Sequence, residues 1–421
     1  MKILQNIKNN TYILHIITLM SGTLIAQIVT LAFIPIITRL YTPSEFGLYS
    51  LFLSIVSVLG LISSWKYDQA IMLPKSDKDA QALLFLSLII TFAMVFFVSL
   101  VLIIFHNFFI NYFHGNTLLI WLIPIGITLL GTLQIFNAYS SRKQFYRQLA
   151  TIKITNSFTI SSVQSISKYF LQFNGLVFGK LIADTLSLLL LLRFHILKNT
   201  LQLKVVSKKR ILVNAKKHNH FPKYQSFTVF LNATSQNLPV FLLASLYSPE
   251  IAGYYALTMR VLQVPSSMIG SSTRTVYYQK ASKMYANGKN IFNLYKKTTL
   301  ALLKIFIIPF TIILFFGEDL FSFIFGNKWL TAGTISQILI FWTFIGFINS
   351  PSVMTYSILK LQKVQMKVEF ISVFLRFSTL YAGYYFFNSY IYSITLFVTT
   401  SILTNIFIIM YVYLKLSKEK S

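Results

Sequence analysis

The chain is 421 residues long, 55% hydrophobic and only 11% charged, with a mean hydropathy of +0.65. A soluble protein carries about 25% charged residues, so this composition excludes a soluble globular fold and points to an integral membrane protein with many spans. Cysteine is absent, which excludes disulfide and thiolate chemistry, and the net charge of +27 must first be read as a membrane-orientation signal.

A helix crosses a hydrocarbon core of about 30 Å with about 20 apolar residues. Twelve such segments follow in order, at roughly 13–38, 46–65, 81–105, 117–138, 150–171, 175–196, 224–246, 251–274, 299–325, 331–356, 367–387 and 390–414. The first is too long for the apolar core of a cleavable signal peptide and reads as a span. Alternating strand patterns are absent, and every backbone group must be satisfied in lipid, so the spans are helices. Six precede a long basic stretch and six follow it. The expected fold is therefore all-α, with an N-terminal six-helix bundle at 1–196, a basic cytoplasmic linker at 197–223 and a C-terminal six-helix bundle at 224–421.

The two halves share a repeat. Tyr41, Pro43, Gly47, Tyr49 and Leu51 recur 206 positions later as Tyr247, Pro249, Gly253, Tyr255 and Leu257, each set at the hairpin between the first two spans of its half. Proline stops one helix and is tolerated in the first turn of the next. Each half holds an even number of spans, so the expected repeat is parallel, about a pseudo-two-fold axis along the membrane normal.

Sorting the 37 Lys and Arg gives orientation. With both termini in the cytoplasm, 31 lie on cytoplasmic segments and only Arg39, Lys168 and Lys328 lie outside near helix ends. Lys180, Arg260 and Arg376 remain, inside spans. This split explains the net charge without nucleic acid. Contact of the basic linker with anionic headgroups is the secondary explanation and topology the primary one. The outside connections are short, whereas a membrane glycan polymerase or ligase needs a large external loop for its catalytic groups. No Gly-rich phosphate loop with Lys-Ser/Thr occurs, so ATP is not the expected energy source. The six histidines show no metal spacing, and no cofactor is expected.

Several motifs carry a family resemblance. They are Arg39-Leu-Tyr-Thr-Pro43, Phe46-Gly-Leu-Tyr49 and Lys66-Tyr-Asp-Gln-Ala-Ile-Met-Leu-Pro74 in the first half. In the second half they are Phe221-Pro-Lys-Tyr224, Leu231-Asn-Ala-Thr-Ser-Gln-Asn-Leu-Pro239, Tyr247 to Leu257, Arg260-Val-Leu-Gln-Val-Pro265 and Tyr277-Tyr-Gln-Lys-Ala-Ser282. With these the chain resembles the polysaccharide-biosynthesis export family, the Wzx-type O-antigen flippases of the MOP superfamily. The resemblance is specific over 39–80 and 221–282 and thin after about residue 300. It implies two six-helix bundles around a central cavity, alternating access, and a lipid-linked oligosaccharide on undecaprenyl pyrophosphate as cargo. It also implies the bacterial plasma membrane, proton or sodium coupling, and polysaccharide-assembly membrane proteins as partners.

Ionisable groups within spans mark function by default. Arg260 lies ten residues after Glu250, about 15 Å deep at 1.5 Å per residue. Asp184 and Arg376 sit at similar depth, and Lys180 shares a helix face with Asp184. Arg260, Arg376 and Lys180 are candidates for binding the diphosphate of the implied cargo, because a guanidinium keeps its charge and grips phosphate oxygens in a bidentate way. Asp184 either tunes Lys180 or takes a proton in the return step. The competing reading is a neutralised Lys180–Asp184 pair, with both arginines on backbone carbonyls near Pro265. Asp68 and Arg274 occupy equivalent repeat positions as inner-gate candidates, with Arg39 and Glu45 as a weaker outer pair. Two unrelated interfacial charges are the plainer reading of Asp68 and Arg274. The alternative function is a cation-coupled drug or metabolite antiporter of the same superfamily, which favours acidic cavity residues. Here Asp184 stands nearly alone against three cations.

Overall fold

The computed structural model describes residues 11–171, 174–200, 207–359 and 361–418, and at 11–17, 265–272, 275, 362 and 363 only the backbone. The termini, whose cytoplasmic placement is expected above, therefore lie outside the described residues, as do positions 201–206 of the linker and the side chain of Pro265.

Among the described residues all regular structure is helical. All twelve expected segments are present as long helices. They are α1 (Thr11–Leu40), α2 (Pro43–Ile62), α3 (Asp77–Ile104), α4 (Thr117–Arg142), α5 (Tyr146–Leu171), α6 (Gly175–Leu197), α7 (Ser226–Leu246), α8 (Pro249–Ala286), α9 (Phe292–Phe325), α10 (Leu330–Ile348, carried on by Ser350–Ile358), α11 (Gln362–Phe387) and α12 (Tyr390–Lys418). Counting the described residues only, nine are long and apolar enough to cross a membrane by length and composition alone. The other three, α5, α8 and α11, have the length but carry more polar residues. Large apolar side chains stand exposed along the helices, among them Phe96, Ile104 and Phe323 at 67%, 72% and 82%. In water such a surface is untenable; in a bilayer it is the lipid-facing side.

The chain divides into two compact units, residues 1–241 and 242–421. In the first, α5 packs between α1 and α6, and α4 packs against α2, α3 and α6. Small residues set these approaches. Gly22 of α1 leaves no room for a Cβ against Ala150 of α5, nor does Gly179 of α6 against Gln164 of α5. A buried polar network ties the membrane-surface ends of α3, α4 and α6 together. Gln81 donates to Tyr139 Oη (3.2 Å) and to the Thr200 carbonyl (2.9 Å), Tyr139 donates to the same carbonyl, and the His195 ring lies 2.8 Å from both Ser140 Oγ and Thr200 Oγ1. In the second unit α10 is central, packing against α8, α9 and α12, and α11 lies on α12.

The repeat is visible in the helix starts. Thr42 and Ser248, 206 positions apart, are the N-caps of α2 and α8, each followed by proline at the first helical position. Thr42 and Glu45 form a capping box: Glu45 N–H donates to Thr42 Oγ1 (3.3 Å) and Thr42 N–H donates to Glu45 Oε2 (2.6 Å). Ser248 Oγ accepts from Ile251 N–H (3.3 Å), but position 251 has no carboxylate to close a box.

Candidate functional site

Of the charged residues at membrane depth, Lys180 and Asp184 sit on α6, Arg376 on α11 and Arg260 on α8. In the first unit Lys180 and Asp184 are ion-paired one turn apart, with Asp184 buried. Asn156 of α5 donates its Nδ2 to Asp184 Oδ1 (3.0 Å) and to Ser187 Oγ (2.8 Å). The carboxylate thus has a partner on each oxygen. A low-dielectric interior demands this, since an unpaired buried charge costs several kcal/mol. The Asn156 carboxamide, unremarked in the sequence, is the third member of the cluster. Its signal was an asparagine in an otherwise membrane-length segment.

In the second unit Arg376 of α11 is half-buried. Its Nε donates to Ser401 Oγ of α12 (3.1 Å), and its guanidinium lies 5.9 Å from the Trp342 ring centroid. From there a polar column continues. Asn405 donates to the Ser401 carbonyl (2.7 Å), and Asn349, at the break in α10, donates to Asn405 Oδ1 (2.7 Å). Arg260 of α8 is half-buried too, and has no hydrogen-bond or ion-pair partner among the described residues.

Of the gate candidates, Asp68 and Glu45 make contacts within the first unit. Asp68 is buried, accepts from Ser64 Oγ (2.5 Å) and lies 3.7 Å from Lys66 Nζ. Lys66, at φ 59°, folds its ammonium back onto the Leu61 carbonyl (3.1 Å) and so caps the C-terminus of α2. Arg274 is exposed on α8. Glu45 uses one carboxylate oxygen in the capping box and the other on Lys168 Nζ of α5 (2.6 Å), whose ammonium also lies 4.8 Å from the Tyr41 ring centroid. Arg39 is exposed near the end of α1.

A further feature is a cleft of about 280 Å³ between α2 and the first half of α7. Its polar lining comprises Ser57, Thr228, Asn232, Gln236 and Asn237. Asn232 and Gln236 are exposed and share a hydrogen bond of 2.5 Å, one turn apart on α7. They lie six and ten residues into the helix, or about 9 and 15 Å along its axis. Exposed carboxamides that far into a membrane-length helix are disfavoured against hydrocarbon. Both carboxamides lie within the Leu231–Pro239 motif and carry no charge, so the placement of ionisable residues does not pick them out. Among the described residues no group of three His, Asp or Glu is placed to hold a metal.

Solved structures with the same fold are membrane transporters of the MOP superfamily. An inward-facing multidrug resistance MATE family transporter superposes with a TM-score of 0.74 at 10% identity, covering 94% of this chain and 95% of that one. The lipid II flippase MurJ, in an inward closed conformation, gives 0.72 at 16% identity, covering 95% and 90%. A Pyrococcus furiosus MOP superfamily transporter, described as having a binding pocket of reverse polarity, gives 0.63 at 12% identity, covering 96% and 95%. The chain therefore shares the multi-pass helical fold of these proteins. Residues 36–334 match the model of the family described as polysaccharide biosynthesis protein, and the chain belongs to that family. No curated protein matches the chain.

Proposed function

We propose that this protein is a flippase that moves a lipid-linked oligosaccharide, carried on undecaprenyl pyrophosphate, across the bacterial plasma membrane by alternating access, for O-antigen, capsule or a related surface polysaccharide. The observation that carries this reading is the uncharged polar cleft on α2 and α7. Its eight lining residues include no acid. An antiporter of organic cations calls for carboxylates there, whereas Asn, Gln, Ser and Thr offer paired donors and acceptors suited to sugar hydroxyls. The family match supports a polysaccharide precursor as cargo, and the fold shared with a lipid II flippase supports a lipid carrier.

The diphosphate then falls to the cations. Arg260, without a protein partner among the described residues, is the most available of the three, since Lys180 is held by Asp184 and Arg376 by Ser401. Asp184 serves as the proton or sodium site, or as the counter-charge of Lys180. Asp68 with Arg274, and Arg39 with Glu45, act as gates only if the local contacts of Asp68 and Glu45 are exchanged during the cycle.

The test is export of surface polysaccharide in a host lacking its own flippase, with membrane protein level measured in parallel. Arg260→Ala should abolish export and Arg260→Lys should retain part of it, because charge survives without the bidentate fork. Asn232→Leu with Gln236→Leu should abolish export and leave the lipid-linked intermediate on the inner leaflet. Normal export by both variants, or efflux of cationic dyes by the wild type without glycan export, would overturn the reading.

A further inference from the structure

The linker between the two halves contains a ten-residue helix, Lys208–Lys217, capped by Ser207. Its rotation is fixed from one side. Asn214 donates to Asp79 Oδ1 (3.2 Å) in the first turn of α3, Arg210 Nε lies 3.7 Å from the same oxygen, and Tyr67 Oη donates to the Ala215 carbonyl (3.0 Å). These contacts hold the helix at the membrane-surface end of α3. They also decide which residues face away.

The outward face reads Lys208, Lys209, then Leu212, Val213, then Lys216, Lys217, at successive spacings of four, and all six are exposed. Leu212 and Val213 are 54% and 56% exposed, an apolar pair with two lysines one turn to either side. A solvated charge run needs no such pair, and a topology signal needs no such register. We propose that this face rests on anionic phospholipid headgroups, with the lysines on the phosphates and the Leu212–Val213 pair sunk at the acyl boundary. The charge complements an anionic leaflet, an apolar centre between basic flanks suits an interfacial helix, and the bilayer is already beside it at the start of α3. The inference is independent of the cargo.

The chain has no cysteine, so Val213→Cys gives a single labelling site for an environment-sensitive fluorophore. The full-length protein is placed in phosphatidylcholine nanodiscs with or without phosphatidylglycerol. With phosphatidylglycerol the label should shift to the blue and be quenched by nitroxide-bearing lipid. Without it, or at high salt, the label should stay wet. Changing Lys208, Lys209, Lys216 and Lys217 to Gln should abolish the difference. The comparison between lipids uses one folded protein, so it stands even if that variant misfolds. A label equally wet in both lipids would overturn the proposal and leave the face to an acidic protein partner. A label equally buried in both would overturn it as well, since burial would then owe nothing to lipid charge.

Discussion

Tyr41 and Tyr247, 206 residues apart, each direct their hydroxyl at the joint between the fifth and sixth helices of their own half. Tyr41 Oη donates to the Gln164 carbonyl of α5 at 2.8 Å, and Tyr247 Oη lies 2.7 Å from Ser393 Oγ of α12, which in turn donates to the Leu380 carbonyl of α11. At each joint a glycine on one helix packs against a serine on the other, Gly175 with Ser167 in the first and Gly383 with Ser393 in the second. The repeated tyrosine is thus a clamp that fastens the first hairpin of each half to its last.

At the first clamp no Cβ fits on Gly175, because Tyr41 Oη occupies its place. Gly175→Ala should destabilise the protein by about 1–3 kcal/mol through overpacking, and Tyr41→Phe by about 1 kcal/mol through the lost hydrogen bond. Removing the hydroxyl makes room for the methyl, so the double variant should cost less than the sum. Thermal melts of the four proteins in one detergent measure this. Simple additivity would mean that the two residues do not share the space.

Lys180→Ala should leave the buried Asp184 carboxylate with Asn156 alone. The expected loss is about 3 kcal/mol, at the lower end for a broken buried pair because Lys180 is partly exposed. Lys180→Ala with Asp184→Ala should restore much of the melting temperature. If the pair also serves transport, export will not return with stability. Export recovered together with stability would assign the pair a structural role only.

Orientation is open to a direct reading. Reporter fusions at Asn199 should behave as cytoplasmic, and those at Asn111 and Asn327 as external, as the distribution of Lys and Arg requires. A consistent reversal at all three sites would refute the assigned orientation.

His218 follows the linker helix, is buried, and has no hydrogen-bond partner for its Nε2 among the described residues. Burial, with Lys217 and His220 adding repulsion, holds its pKa below the usual histidine range. The fold therefore prefers the neutral ring. Its contribution is complete above about pH 6.5 and declines as the pH falls through that value toward the lower folded pKa, because the unfolded segment gains the proton first. Amide exchange across 207–220 should be faster at about pH 5.5 than at about pH 8 once corrected for intrinsic rates. His218→Gln should flatten the difference, and an unchanged slope in that variant would place the titrating group elsewhere.

The twelve segments and their helical character could be read from the sequence, because a hydrocarbon slab sets one length and forbids unpaired backbone. The repeat could be read from its turns, because proline and an N-cap residue mark a helix start wherever it folds, as Thr42-Pro43 and Ser248-Pro249 show. Even the more polar character of α5, α8 and α11 is written in their residues. What hydropathy does not carry is the rotation of each helix about its axis. That rotation decided that Asp184 meets Asn156, 28 positions earlier, and that Glu45 pairs with Lys168, 123 positions away. It also set Asn232 and Gln236 into a cleft and turned the lysines of the linker helix outward. Rotation is fixed by where small residues such as Gly22, Gly175 and Gly179 let two backbones close, and those approaches exist only once the helices are packed.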